Sequence, residues 1–503
     1  MNLQTATLQS PGTLGLNTEQ QDDILDPRYA TVALNCVIDR NGRLAARNGY
    51  SLLQNTAADA GGTPPTFEVL HSYVTSSGTD IIIGAGGNRL WDCSTNPPTD
   101  ITGSLTITDD NWQFANFEGE VYAYQDGHDP AFWAGSGNFA LITSKATDAG
   151  IVQGKACMSA FGRMWVVDPD ETTLRYSDLL IPEDFSGGSA GSIDLYTVWT
   201  GGDDRIVGLA VHNNNLIIFC ENTIVIYDSA DDIGNLALNE VIDSTGCLAR
   251  DSIQNIGQDI LYLSKEGIRS LGRTVLQDNM PMQTLSANIR EDIALDAQFE
   301  TGSLIRSAYN ERNGFYVIIF PTVGTTYVLD LRMMRQGIVR PTNWDVAAKC
   351  YVSTVQGDLL MGLESGFIGK YGTYQDNTSP YVVNFKTGWI DQDGDAGEIE
   401  YIWKKMRVFL GAEFDTDVTA TWDYDYGSGG GSLVKSITGG ATSEYNVAQY
   451  NIDEYGSQIS AATIDYQMSK TGSLVRAGIQ AEIDNGKLAF NKIVLYFKAG
   501  NRA

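Results

Sequence analysis

Three short apolar runs follow one another between residues 206 and 227: IVGLAV (206–211), LIIF (216–219) and TIVIY (223–227). Each run has the length of a strand, and the β-branched residues that dominate them favour strands. Asn213-Asn214-Asn215 separates the first two runs, and consecutive asparagines favour the tight turn of a hairpin. The segment therefore predicts three antiparallel strands joined by short turns.

The same order of strand, polar turn, strand and closing strand recurs between about residues 67 and 372. The units begin near residues 70, 113, 157, 208, 253, 307 and 350, so successive starts lie 43 to 54 residues apart. That period is close to the roughly 40–50 residues of a four-stranded propeller blade. A blade cannot bury both faces of its sheet alone, whereas radial packing of blades buries them. We predict an all-β protein with a β-propeller of about six or seven blades; two β-sandwiches built from ordinary meanders are the alternative.

Two regions lie outside the repeat. Residues 1–66 contain a predicted hairpin whose turn is Asp39-Arg40-Asn41-Gly42. Residues 373–503 contain longer, tyrosine-rich strands and the glycine-rich run 427–432, which predicts a flexible loop tip. We predict three parts: an N-terminal arm and hairpin (1–66) that joins the platform, the β-propeller (67–372), and a C-terminal β-sandwich platform domain (373–503).

One insertion between blades has a helical pattern, the strongest in the chain. It covers residues 286–299, where Ser286 is a candidate N-cap. Ile289, Ile293 and Leu295 form its predicted apolar stripe.

The chain is acidic because bases are scarce. Its 503 residues include 62 Asp and Glu against 33 Lys and Arg, a formal net charge of -29, although charged residues make up only 19%. A protein that wraps nucleic acid needs clustered Lys and Arg to replace counterions, and the sequence has no such cluster. Composition therefore excludes a DNA-wrapping protein.

Apolar runs and cysteines indicate the compartment. No run reaches 18 apolar residues, and the N-terminus has neither the basic nor the apolar region of a secretion signal, so we expect no membrane span. The six cysteines are scattered without a CxxC pair, and only three histidines occur, which makes a Cys/His zinc site improbable. We expect buried free thiols and assembly in a reducing cytoplasm.

Two motifs resemble ligand loops but depart from them. Asp391, Asp393 and Asp395 are spaced like the start of an EF-hand, but Ala396 and Ile402 stand where the loop needs Gly and a bidentate Glu. A solvated acidic turn is the favoured interpretation, and calcium binding stays open. The run 150–155 is one residue short of a phosphate loop and continues as a strand, so we dismiss it.

Paired carboxylates are the other candidates for chemistry. Asp168, Asp170, Glu171 and Asp178 could form a glycosidase pair, although a polar hairpin turn explains them better. The aromatics of WDYDY (422–426) fit either a contact surface or the alternating core residues of a strand. We therefore expect no catalytic residue, no cofactor and no metal site.

Several short motifs resemble, in their order, the tail hub or nozzle proteins of short-tailed bacteriophages, a family that includes the packaged-DNA stabilisation proteins. The motifs are GLN (15–17), LDP (25–27), ALNCVIDRNGRLAARNGY (33–50), FGRMWV (161–166), LRYSD (174–178), DF (184–185), LIIF (216–219) with TI (223–224), TGC (245–247), LYLSKEGI (261–268) and YNERNGFY (309–316). Each motif is short and degenerate, and the resemblance extends over most of residues 15–372 and, in layout, over the C-terminal region.

The resemblance implies a structural virion protein of the tail, assembled in the host cytoplasm. Six copies would form a homohexameric ring below the portal and the tail adaptor protein, continuing the channel that retains packaged DNA and passes it at ejection. Tail fibre, tailspike or needle proteins would be further partners, and DNA would pass without specific binding. Carboxylates repel phosphates, so a charge of -29 suits such a channel, and we predict that a substantial part of the acid excess lies on the channel side.

Two other functions fit the same sequence. A glycan-binding or glycan-hydrolysing propeller would have a shallow pocket at its axis with two carboxylates and exposed aromatics. An acidic scaffold propeller of a cell would hold protein partners on its rim.

Overall fold

The structure is a computed structural model that describes residues 3–75, 77–145, 150–199, 202–272, 284–391, 399–427, 429–439 and 460–502. The chain divides into two compact units. Unit 1 comprises residues 1–51, 327–346 and 371–503, and unit 2 comprises residues 52–326 and 347–370.

Strands are the main regular structure of both units. In chain order they are β1 (Gln4–Gln9), β2 (Gly15–Leu16), β3 (Tyr29–Ala30), β4 (Val32–Leu34), β5 (Cys36–Ile38), β6 (Leu44–Ala46), β7 (Gly49–Leu52), β8 (Val69–Val74), β9 (Asp80–Ala85), β10 (Leu90–Asp92), β11 (Thr99–Asp100), β12 (Gln113–Phe117), β13 (Glu120–Tyr124), β14 (Ala131–Trp133), β15 (Ala140–Leu141), β16 (Ala156–Ala160), β17 (Arg163–Val167), β18 (Thr173–Tyr176), β19 (Gly191–Asp194), β20 (Ile206–His212), β21 (Asn215–Cys220), β22 (Ile224–Asp228), β23 (Ala237–Ile242), β24 (Gln254–Asn255), β25 (Ile260–Ser264), β26 (Gly267–Ser270), β27 (Arg306–Asn310), β28 (Phe315–Phe320), β29 (Thr325–Asp330), β30 (Arg340–Trp344), β31 (Ala348–Ser353), β32 (Leu359–Leu363), β33 (Ile368–Thr373), β34 (Tyr381–Lys386), β35 (Ile399–Ala412), β36 (Thr416–Tyr424), β37 (Gly429–Ile437), β38 (Ser460–Gly472), β39 (Val475–Ile483) and β40 (Leu488–Arg502).

Helical segments are few among the described residues. One α-helix, α1, spans Arg290–Phe299, and short 3₁₀ helices include Ile142–Ser144, Leu195–Thr197, Ile233–Asn235, Arg250–Ser252, Ala287–Ile289 and Met334–Gln336.

Unit 2 is a seven-bladed β-propeller. Four blades are antiparallel four-stranded sheets, β8–β11, β12–β15, β16–β19 and β20–β23. The other three contain β24–β26, β27–β28 and β31–β33. The hairpin between β20 and β21 turns at Asn213 and Asn214, whose positive φ angles of 49° and 65° suit a type I′ turn.

The innermost strands close a ring. Each of β8, β12, β16 and β20 contacts the next, the short helix Arg250–Ser252 contacts β20, β24 contacts β27, and β27 contacts β31, which returns to β8. Apolar layers fill the spaces between blades; Trp112, Trp133 and Ile83, for example, belong to one layer between the first two blades. The predicted propeller is confirmed with seven blades, and its first strands start within a few residues of the predicted positions.

Unit 1 is a β-sandwich. One sheet has the order β38-β35-β40-β6-β5 with β1 also paired to β40, and the other contains β30-β4-β34-β39-β36-β37. Met406, Val408 and Leu410 of β35 are buried between the sheets. Tyr466 on β38 donates a hydrogen bond to the Val418 carbonyl on β36 (2.8 Å), which ties the two sheets together.

The residue ranges of the two units differ from the predicted ranges 1–66, 67–372 and 373–503. Residues 327–346, which the repeat placed in the propeller, belong to unit 1, because β30 pairs with the N-terminal strand β4. Residues 52–66 belong to the propeller unit rather than to the N-terminal arm. Hairpin β5–β6 joins the sandwich through Ala45, which pairs with Ala489 of β40.

Three local predictions were wrong. Ser286 does not cap the helix, because its Oγ accepts a hydrogen bond from the Ile268 amide instead (3.0 Å). Leu295 is 52% exposed, whereas Ile289 and Ile293 are buried, so the apolar stripe is narrower than predicted. The glycine-rich run forms a strand from residue 429 onwards, because it pairs with β36; Ser428 lies outside the described residues.

Candidate functional site

The axis of the propeller carries a hydrogen-bonded ionic network. Its members, Asn111, Arg250, Asp251 and Arg306, lie at or just before the first strands of three blades. Arg250 Nη2 and Arg306 Nη2 both donate to Asn111 Oδ1, at 2.9 and 2.8 Å. Asp251 Oδ2 accepts from both arginines, at 2.8 Å from Arg250 Nη2 and 2.9 Å from Arg306 Nη1. We call these four residues the axial network.

Backbone carbonyls of further blades complete the axial network. Arg250 Nη1 donates to the Lys155 carbonyl (2.8 Å), and Arg306 Nε donates to the Glu68 carbonyl (3.2 Å). Ser307 Oγ donates to the Asp251 carbonyl (2.7 Å). The network therefore joins five of the seven blades, and side-chain donors that would otherwise be unsatisfied in the interior are paired.

Two arginines surround one carboxylate in this network. Burial opposes ionisation of Asp251, yet the Arg250 and Arg306 guanidiniums hold the pKa of Asp251 below its ordinary value. The Arg306 side chain is 5% exposed and that of Arg250 11% exposed. Removing the carboxylate would leave two buried cations without a counter-charge, which is costly in a protein interior.

Cavities lie on either side of the axial network. One of about 320 Å³ is lined by first-strand residues of several blades, among them His71, Phe114 and Tyr309, and by Arg250 and Arg306. A second of about 250 Å³ is lined by residues between the second and third strands of three blades, among them Asp126, Glu171 and Glu221, and again by Arg250. The side chains of the axial network therefore interrupt the propeller axis between two polar cavities.

Two carboxylates of the second cavity, those of Asp126 and Glu171, are paired. Lys155 Nζ lies 2.7 Å from Glu171 Oε1 and 3.2 Å from Asp126 Oδ2, and Arg205 Nε lies 3.6 Å from Glu171 Oε2. Lys155 belongs to the dismissed run 150–155, and the chain continues from it into a strand, β16. The lysine thus serves an ion pair within the propeller.

A pair of carboxyl groups near the same end of the blades has raised pKa values. Burial raises the pKa of Glu68, and the negative Asp110 adds to that effect. Burial also raises the pKa of Asp110, whose Oδ1 atom is buried without a hydrogen-bond partner among the described residues. Glu68 lines a third cavity, of about 400 Å³, together with Arg306 and Lys349.

The carboxylates singled out from the sequence have separate hydrogen-bond partners. Asp168 accepts from Arg175 Nε (2.5 Å), and Asp170 caps the turn before β18 by accepting from the Thr172 and Thr173 amides. Asp178 lies at the far end of β18, where it accepts a hydrogen bond from the Ser189 amide (2.8 Å). Hydrogen bonds from the amide and hydroxyl of Ser189 lower the pKa of Asp178. The polar-turn interpretation holds for these residues.

The aromatic residues of the stretch 422–426 are divided between the core and the surface. Trp422 and Tyr424 are buried core residues of β36, and Tyr426 is 63% exposed, where its hydroxyl donates to Asp23 (3.1 Å). Asp391 is described, but Asp393 and Asp395 lie outside the described residues, so the calcium question concerns positions that the structure does not describe.

Three further features bear on chemistry. Within the described ranges, no group of three His, Cys, Asp or Glu side chains could hold a metal ion. All six cysteines are buried and unpaired. Across the same described part of the chain, no helix is long and apolar enough to cross a membrane.

The pattern of the sequence did not identify the residues of the axial network. Asn111, Arg250 and Arg306 each precede or open a first strand of the repeat, which is the signal that could have found them. They carry no motif, because their roles depend on blades that meet only after the ring closes.

Comparison with known proteins gives likenesses of fold. No family model matches the chain, and no curated protein matches it. Similar solved structures include PorZ, a surface component of the type-IX secretion system of Porphyromonas gingivalis (9% identity, 70% of this chain, TM-score 0.36); the Pan2 WD40 domain of Neurospora crassa (8%, 65%, 0.36); and an exo-β-1,3-galactanase of Phanerochaete chrysosporium (11%, 90%, 0.27). The matches span 44%, 95% and 100% of those chains, respectively.

Proposed function

We propose that the chain is a structural virion protein, the tail hub or nozzle of a short-tailed bacteriophage. Six copies would form a ring below the portal and the adaptor protein, and the ring would continue the DNA channel, retain packaged DNA and pass it at ejection. Tail fibre, tailspike or needle proteins would dock on its outside. The ordered motifs between residues 15 and 316 support the proposal, as does a propeller joined in one chain to a second β unit.

The observation that carries the proposal is the axial network. For a glycan-active propeller we expect a shallow pocket at the axis with two carboxylates and exposed aromatics. Here the axis holds Arg250, Asp251 and Arg306, which hydrogen-bond to one another and to the blades. The cavity of about 320 Å³, which has an aromatic lining, has Asp251 as its lining carboxylate. Arg250 and Arg306 both form ion pairs with that carboxylate. A propeller with its axis occupied in this way is suited to a rigid structural part, and any DNA would pass between copies.

The charge is concentrated in the propeller unit. Residues 52–326 and 347–370 contain 38 of the 62 acidic and 15 of the 33 basic residues, a formal charge of -23, which leaves -6 for unit 1. A wall with this charge would repel phosphates and let DNA move along it without adhering. We propose accordingly that the protein is not an enzyme and that DNA is its cargo.

The proposal is tested by mixing the purified chain with portal–adaptor assemblies and imaging the mixture by negative stain. We expect six-fold rings on the adaptor, even where the isolated chain stays monomeric, because the adaptor can template the ring. A chain that never joins the adaptor would overturn the proposal. A docked chain with another symmetry would retain the tail assignment and correct the copy number.

A glycan-binding or glycan-hydrolysing propeller is the second candidate. The raised pKa values of Glu68 and Asp110 favour it, because a protonated carboxyl group can act as a general acid. Hydrolysis of a glycan panel by the wild-type chain, abolished by Glu68→Gln but kept by the turn variant Asp170→Asn, would establish it. We expect no hydrolysis by any of the three proteins.

A further inference from the structure

The sandwich of unit 1 has one sheet face that is basic and aromatic. The register places Lys405 of β35 opposite Tyr496 of β40, Arg407 opposite Val494, and Phe409 opposite Lys492. The alternate residues Met406 and Val408 point into the core, so these side chains lie on the outer face. Lys498, two residues beyond Tyr496, continues the row. We call Lys405, Arg407, Lys492, Tyr496 and Lys498 the basic sheet face.

Cations and rings alternate on the basic sheet face. Lys405 Nζ lies 4.4 Å from the centre of the Tyr496 ring, and Lys492 Nζ lies 4.6 Å from that of Phe409. Such cation–π contacts hold long side chains extended over the sheet. Neighbouring strands add uncharged side chains, Thr5 and Thr7 of β1 opposite Tyr496 and Val494.

One carboxylate lies within the face. Asp465 of β38 accepts from Arg407 at 2.6 and 2.8 Å and lies 3.2 Å from Lys405 Nζ. No carboxylate of the described residues forms an ion pair with Lys492 or Lys498. In the described part of the chain, the β40 end of the face therefore has two lysines that form no ion pair, although the chain has a formal charge of -29.

The two units thus differ in charge as well as in fold. The propeller unit carries -23, and the sandwich presents a cationic surface. When unlike patches of one chain are complementary, copies associate head to tail, and this heterologous contact closes into a ring when the rotation between copies permits. Electrostatic complementarity of this kind fixes register and partner more than it adds affinity.

We infer that the basic sheet face docks on the acidic propeller of a second copy of this chain. The inference rests on the proposed function in one respect, the assembly of copies into a ring, and adds which surfaces meet. Duplex DNA is the other polyanion that such a face could bind. Asp465 at the β38 edge of the face and the charge of the whole chain both repel phosphates, which favours a protein carboxylate held in a fixed position.

Isotope-mixed crosslinking tests the contact. Unlabelled and nitrogen-15-labelled chains are mixed at high concentration, alone and with the adaptor, and treated with a carbodiimide, which couples a lysine to a carboxylate only when the two touch. Mixed-isotope products identify links between copies. We expect such links from Lys492 or Lys498 to carboxylates within residues 52–326 or 347–370. Mixed-isotope links that avoid β40 would overturn the inference.

Charge reversal provides the matched variants. K492E/K498E reverses two charges on the face, and K435E/K470E makes the same change on β37 and at the end of β38. Sedimentation should show self-association weakened by at least about tenfold in the first variant and unchanged in the second, because like charges facing each other across an interface are strongly unfavourable. Circular dichroism checks that both variants fold.

The remaining outcomes separate the two proposals. If K492E/K498E forms rings on the adaptor as well as the wild type does, the docking surface is wrong and the proposed function stands. If the wild type never associates with itself or with the adaptor, both are wrong. If the wild type binds duplex DNA and K492E/K498E loses that binding without a change in self-association, the face binds phosphates and the inference is overturned.

Discussion

Asp251 holds together more of the propeller than any other single carboxylate described at its axis. It pairs with Arg250 and Arg306, which reach carbonyls of two further blades. Asp251→Ala leaves both guanidiniums buried without a counter-charge, so we expect a loss of about 3–5 kcal/mol in the free energy of unfolding. Urea unfolding followed by tryptophan fluorescence measures it.

An exposed ion pair supplies the control for that prediction. Asp26 pairs with Arg28 at 2.7 Å, with side chains 39% and 59% exposed. Asp26→Ala should change the free energy of unfolding by less than about 1 kcal/mol, since water already solvates both charges. Equal losses in the two variants would show that the axial network does not hold the blades.

Single residues were the hardest part to predict. The sequence identified candidates by composition, as with Asp168 and Asp178, and both proved to serve local turns. It did not identify Asn111 or Arg306, which are 195 residues apart and meet at 2.8 Å. Such a contact follows from ring closure, which no local pattern encodes.

At the scale of elements, neighbouring blades pack so closely that little space remains between their strands. A Cβ added to Gly362 of β32 would lie 2.6 Å from the Cys350 sulfur and 2.8 Å from the Phe67 carbonyl oxygen, which belongs to the chain entering the first blade. Gly362→Ala should therefore cost about 1–3 kcal/mol in the free energy of unfolding. Gly234→Ala is the control, because its nearest neighbour lies at 3.4 Å, and it should change that energy by less than about 0.5 kcal/mol. A Gly362→Ala protein as stable as the wild type would mean that neighbouring blades can move apart.

The pairing of β35 with β38 carries a pH-dependent contribution. Hydrogen bonds from Arg407 lower the pKa of Asp465 to about 2, against some burial, and Lys405 adds to the effect. Because the folded pKa lies below the ordinary value of 3.8, the stabilisation is present above about pH 4 and is lost as pH falls through about 2. The difference in urea midpoint between wild type and Asp465→Asn should be largest at neutral pH and shrink over that window. A difference that is constant from pH 6 to pH 2 would contradict the ion pair.

Elements were predicted well where the pattern was local. The first strands of the blades begin where the repeat placed them, because period and alternation depend on neighbours in sequence. The helix position was right, but its Leu295 is exposed, and the run Gly429–Ile437 is a strand. Pairing with β36 overrides the low strand propensity of glycine there, and tertiary pairing of this kind is invisible in the sequence.

All six thiols are inaccessible in the folded molecule. Each cysteine is at most 3% exposed, and burial raises the pKa of Cys157, Cys220 and Cys350 to about 12. A thiol is modified as its thiolate, so the native chain should react with a disulfide reagent at none of the six positions and the urea-unfolded chain at all six. Rapid labelling of the native chain would contradict the burial of these thiols, and mass spectrometry would identify the position.

The charge of the whole molecule leads to a prediction about DNA. With -29 in total, of which -23 lies in the propeller unit, the chain as a whole repels phosphates, and we expect this repulsion to be weaker at the basic sheet face. Non-specific binding of DNA depends on contacts between basic side chains and phosphates, and its affinity falls steeply between about 50 and 200 mM salt. We therefore expect no retention of duplex DNA over that range, measured by fluorescence anisotropy. Tight binding with a steep salt slope would mean that several lysines and arginines contact phosphates at once, in which case the chain would hold DNA rather than let it pass. The variant K492E/K498E then decides where, because its loss of binding would assign those contacts to β40, and unchanged binding would assign them to another surface.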